Sequence, residues 1–118
     1  MSANERKGPS GRKITQTAGS GGWTSGQLVT IRTGTTGWVG EAVTDVAEGE
    51  DGALEVGHQA KVPKNTGVSW SNGAKLYKDA STNNLTNVSS GNDYAGSAVG
   101  DAGTSDTEAW IVFAPSGG

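Results

Sequence analysis

The sequence predicts an all-β protein, a small barrel or sandwich of about seven short strands carrying an extended, flexible N-terminal arm. Three observations lead there. Gly accounts for 20 of the 118 residues and, with Asn and Asp, punctuates the chain at short intervals. Between these breaks stand short runs rich in Val, Ile and aromatic residues, and no stretch keeps a helical apolar period beyond one turn. Basic residues, finally, gather at the N-terminus, where apolar side chains are scarce.

Residues 1–22 read as the arm. Arg6, Lys7, Arg12 and Lys13 face the single acid Glu5, a net +3, and Ile14 is the only bulky apolar residue after Met1. The remainder has five Lys/Arg against eleven acids, a net −6, and such a reversal of sign marks an interaction tail. Ala18–Gly22, with the sequence A-G-S-G-G, reads as a flexible joint. A folded domain is therefore expected over residues 23–118.

Within it, strands are expected over Gln27–Arg32, Gly37–Thr44, Ala53–Val62, Ala74–Lys78, Asn84–Val88, Tyr94–Val99 and Glu108–Ala114. Turns are expected at Asp51-Gly52, Asn72-Gly73, Ser90–Asp93 and Gly100–Gly103. The third run shows a period of two, with Leu54, Val56, His58, Ala60 and Val62 on one face and Glu55, Gly57, Gln59 and Lys61 on the other, and Pro63 ends it. In the last run Ala109, Ile111 and Phe113 share a face opposite Trp110 and Val112. Both faces of that strand want cover, so one of them is a candidate contact surface.

Composition limits what such a domain can do alone. Leu, Ile, Val and Phe together make 18 of 118 residues, below the ~20% at which a highly charged chain is read as disordered. The net charge is only −3, which excludes a long polyanion, while the scarcity of large apolar residues excludes a thick core. With no cysteine, neither disulfides nor thiolate metal sites can supplement that core, and oligomerisation is the remaining device. No apolar run approaches the ~18 residues that cross a bilayer, and polar residues follow Met1, so neither membrane association nor an export signal is expected.

No catalytic machinery is visible. His58 is the only histidine, no G-x-S-x-G elbow accompanies it, and the metalloprotease, P-loop and dinucleotide-binding patterns are absent. The acids Asp45, Glu48, Glu50 and Asp51 miss the spacing of a calcium loop and read as a solvated turn. No enzymatic activity, cofactor or metal is expected. For His58 two readings stand, a buried hydrogen-bonded histidine and a residue meeting its own copies at an oligomer axis.

Trp23, Trp38, Trp70 and Trp110 are four tryptophans beside a single Phe. They either complete the core or, as residues enriched at interface hot spots, join Val112 on an oligomer or partner interface. Exposed indoles also stack on sugars, which gives a rival reading, a surface module that binds glycans through its tryptophans. Nucleic acid is not expected as a partner, because the basic cluster has no interleaved aromatics and the body is acidic. A basic arm that folds along a protein surface suits these residues better, with Arg6, Lys7, Arg12, Lys13, Ile14, Gln16 and Thr17 as its contacts.

Four segments carry a resemblance: G-W-V-G-E-A-V-T-D-V-A-E-G-E-D-G-A-L-E-V (Gly37–Val56), K-V-P-K-N-T-G (Lys61–Gly67), N-G-A-K-L-Y-K-D (Asn72–Asp79) and S-G-N-D-Y-A-G-S-A-V (Ser90–Val99). In order and content they resemble the bacteriophage capsid cement, or head decoration, family, from about Trp23 to Phe113. The resemblance implies a small non-enzymatic all-β protein on the outer surface of a tailed-virus capsid, made in the host cytoplasm. Its expected partners are the major capsid protein and copies of itself, commonly as a homotrimer. Three positions depart from the family pattern: Glu41 stands where Val is usual, His58 where Gly is frequent and Ala60 in place of a common Phe. The N-terminal stretch is also longer and more basic than is typical.

Overall fold

A computed structural model describes residues 5–7, 11–33 and 36–113, with side chains outside 1–10 and 32–38. Among them are ten strands and no helix, so the all-β expectation holds. The strands are β1 (Glu5–Lys7), β2 (Arg12–Thr17), β3 (Leu28–Thr33), β4 (Thr36–Ala42), β5 (Asp51–Val56), β6 (Gln59–Pro63), β7 (Lys75–Lys78), β8 (Leu85–Thr86), β9 (Asp93–Ala98) and β10 (Glu108–Phe113).

Hydrogen bonding links them into two antiparallel blocks. One runs β3-β4-β5-β2 and the other β1-β6-β10-β9-β7-β8, and a single parallel bridge between Trp38 and Tyr94 joins β4 to β9. Two hydrophobic clusters result, and the second draws on both blocks, because Leu28 of β3 and Val39 of β4 belong to it. Ile31, Ala42, Leu54 and Val56 pack with Trp23 and Val46 in the first. Val62, Trp70, Leu76, Leu85, Ile111 and Phe113 pack in the second with a set of alanines. The small apolar complement is thus divided between two modest cores.

The predicted run Ala53–Val62 is where the blocks meet. Its buried parity is as read, since Leu54, Val56, His58, Ala60 and Val62 are all buried. The run is nevertheless two strands. Gly57 adopts φ 80°, a left-handed conformation that costs a side-chain-bearing residue, and the chain turns there from the first block into the second. Leu54 and Val56 therefore belong to one cluster, and Ala60 and Val62 to the other.

Asp51-Gly52, expected as a turn, lies inside β5, because β2 pairs with that strand from Arg12↔Val56 to Thr17↔Asp51 and carries it back to Asp51. The reversal sits at Ala47–Glu50, where the Glu50 amide donates to the Ala47 carbonyl at 3.0 Å. The turn at Asn72-Gly73 stands as expected, with the Ala74 amide donating to Ser71 at 3.1 Å. The strand expected at Asn84–Val88 shortens to Leu85–Thr86. On β10, Ala109, Ile111 and Phe113 are buried while Trp110 and Val112 are half-buried on the other face, the predicted alternation.

Candidate functional site

Two surfaces and one buried cluster collect the residues with chemistry. The first surface lies on the outer face of β10 and β6, where Trp110 stands opposite Lys61 and Val112 opposite Gln59 in register, all four half-buried. Cross-strand pairing thus brings one indole, one branched aliphatic and one cation into a single patch.

The second surface is β2, at the end of the sheet path. Arg12 and Lys13 are exposed on it. Ile14 packs against the first cluster, Gln16 Nε2 donates to the Thr30 carbonyl at 3.2 Å, and the Thr17 hydroxyl donates to Asp51. Ile14 and Gln16 thus share the inward face, Thr17 is held on the other, and Arg12 and Lys13, consecutive near the start of the strand, remain exposed. Of the other arm residues, Arg6 and Lys7 pair through β1 with Ala60 and Gln59, and their side chains lie outside the described residues. The Gly/Ser stretch is tied to the body as well, because the Ala18 amide donates to Glu50 at 2.8 Å and Ala18 is buried.

The tryptophans divide. Trp23 and Trp70 are 5% and 7% exposed, and their rings pack within the two clusters. Trp110 keeps a half-exposed face. The Trp38 side chain lies outside the described residues.

His58 is 3% exposed, which matches the buried, hydrogen-bonded reading and leaves little of the ring to meet a copy of itself. Its Nε2 lies 2.6 Å from Glu41 Oε1, and its ring stacks on Phe113 at 4.7 Å between centroids. Glu55 is the cross-strand neighbour of Glu41, and its Oε2 accepts the Gly11 amide at 2.6 Å. Two carboxylates and an imidazole thus meet at the seam between the blocks. Glu55, assigned by alternation to the open face, is fully buried because both faces of β5 are covered at its end. A glutamate among Gly, Ala and Val at Glu41, where the family pattern has Val, was the available sequence signal.

Lys64 is a second buried charge that alternation does not reveal. It is 2% exposed, donates to the Asn65 carbonyl at 2.8 Å and to the Val68 carbonyl, and lies 5.0 Å from the centre of the Trp70 ring. Backbone dipoles and the π face solvate the ammonium there in place of water. Asp79, at the surface between β7 and β8, accepts the Ser81 and Thr82 amides and the Asn65 side chain. These donors, the Ser81 amide foremost, hold its carboxyl below the usual range.

A family model described as phage cement protein matches residues 9–113, so the chain belongs to that family, a family of structural proteins of the phage capsid. The match begins inside the stretch expected as an arm. No curated protein and no solved structure matches the chain.

Proposed function

We propose that this cement protein binds the outer surface of a tailed-virus head, where it bridges neighbouring capsomers by contacting the major capsid protein and further copies of itself as a homotrimer. The observation that supports this reading is the Trp110–Val112 patch with Lys61 and Gln59, an apolar centre with a polar margin on a chain whose family reinforces shells. Arg12 and Lys13, exposed on β2, supply the charge that meets an acidic capsid surface. Residues 1–22 act as the contact arm and 23–118 as the body.

The work is thermodynamic linkage. A protein that binds only the assembled lattice raises the free energy needed to dismantle it. Each copy contributes little, and repetition over many sites makes the sum large, provided each copy touches more than one subunit. No bond is made or broken in this role.

Occupancy on purified heads tests it. Arg12→Glu with Lys13→Glu leaves the fold intact, since both side chains are exposed, and lowers occupancy at least tenfold in low salt. Trp110→Ala weakens self-association more than it perturbs the circular dichroism spectrum. Undiminished occupancy of the charge-reversed protein removes β2 from the interface, and global unfolding of the Trp110 variant assigns that ring to the core.

A further inference from the structure

The buried cluster at the seam has a donor set that the cement role does not use. Glu41 on β4, Glu55 on β5 and His58 at the β5–β6 corner bring two carboxylate oxygens and one imidazole nitrogen within 4.8 Å of one another, and all three residues are buried. We propose that this cluster binds one divalent transition-metal ion, and that zinc is the ion its donors fit.

The chemistry of the donors selects the ion. One imidazole nitrogen and two carboxylate oxygens form a set that zinc takes at about 2.0–2.2 Å, with a fourth position open to a water or a carbonyl. Calcium asks for six to eight oxygens, which three side chains at a packed seam do not supply. The absence of cysteine rules out thiolate-held copper(I) and iron–sulfur centres.

The placement of the donors prepares the site. Glu41 and Glu55 stand opposite each other in the β4–β5 register, so their carboxylates converge from two strands. The stack on Phe113, only 19° from parallel, fixes the plane of the His58 ring, and the Gly11 amide holds one oxygen of Glu55. Gly11 must be glycine for this, because a Cβ there would stand 2.0 Å from the Val56 carbonyl oxygen.

The imidazole offers Nε2 as its ligand atom. Its Nε2 meets Glu41, while the buried Nδ1 has no hydrogen-bond partner among the described residues. On binding at Nε2, zinc takes the place of the proton between His58 and Glu41, that proton moves to Nδ1 so that the ring stays a neutral imidazole, and the two groups spread from hydrogen-bond to ligand spacing. One ion would then tie β4, β5 and the corner leading to β6, fastening the two blocks where the chain crosses between them. This does not depend on attachment to a capsid.

The test uses the full-length, tag-free chain stripped of metal with a chelator and titrated with zinc sulfate. His58 is the only histidine, so its ring nitrogens give NMR signals that need no assignment. The expected result is one zinc per chain and a shift of the ring nitrogen signals that saturates at that ratio. At a 100-fold excess over Kd, the thermal midpoint rises on the order of 10 °C. Glu41→Gln and Glu55→Gln keep the side-chain shape and weaken binding at least tenfold. Ring signals unmoved at saturating zinc overturn the proposal, whether zinc then binds elsewhere on the acidic surface or nowhere. That titration needs only the wild-type chain and decides the question even if the variants fail to fold.

Discussion

Around Ile111 and Phe113 the protein buries a mostly apolar cluster, and Lys64 beside it is solvated by carbonyls and an indole. Around Leu54 and Val56 the cluster is smaller and borders two carboxylates and a histidine. The β10 block is thus held mainly by non-directional burial, and the β5 block partly by directional contacts at the seam. A chain poor in large aliphatics can still close two sheets on one another, on condition that polar groups between them find partners within the chain. The weakness moves accordingly, from volume in one block to pairing in the other.

The sharpest way to break this contrast is Glu41→Ala. Removing one partner leaves His58 and Glu55 buried with a gap, and a loss of about 3–5 kcal/mol in denaturant unfolding is expected. A loss below about 1 kcal/mol would mean that water already reaches the seam. Next come the apolar centres. Ile111→Ala and Leu54→Ala should each cost about 2–5 kcal/mol while unfolding stays a single transition. Two separate transitions would show that the blocks are independent bodies.

A smaller effect isolates the crossing. Nothing stands within 4 Å of a Cβ built on Gly57, so Gly57→Ala tests backbone conformation alone and should cost roughly 1–2 kcal/mol. The mildest test concerns acid. Because the Asp79 carboxyl titrates lower in the folded chain than in the unfolded one, its contribution is complete above the unfolded value of about 3.9. That contribution disappears as pH falls through the depressed folded value. Asp79→Asn should flatten that part of the acid-stability curve measured by circular dichroism and lower neutral-pH stability slightly, leaving stability below the folded value nearly unchanged.

Much of the fold was legible because alternation is a local property. Ala109, Ile111 and Phe113 against Trp110 and Val112 could be read from six consecutive residues, and the structure repeats that reading. The inward parity from Leu54 to Val62 was equally plain, but the change of sheet was not, since Gly57 falls on the outward parity and disturbs nothing in the pattern. Strand β2 was hidden for a related reason. With Arg12, Lys13 and two threonines, R-K-I-T-Q-T offers one bulky apolar contact, and its pairing depends on β5 some forty residues later.

The family was legible from short motifs, whereas the seam was not. Alternation sends Glu55 to the open side by parity, and only the approach of β4 and the Gly11 backbone turns that side into an interior. Lys64 follows Pro63 in a segment that reads as a strand end, and its cage is assembled from carbonyls of the loop that follows. In both cases the decisive neighbours are main-chain groups brought from elsewhere, which residue identity does not announce.

The enclosure of Lys64 has a practical consequence for anyone who decorates particles with dyes or peptides through amine chemistry. Lys13 and Lys75 present their amines to reagent, while the amine of Lys64 is sealed inside native protein. Conjugation can therefore load the surface without touching the interior. The slow appearance of label on Lys64, followed by mass spectrometry, would serve as a clock for how often the β10 block breathes open.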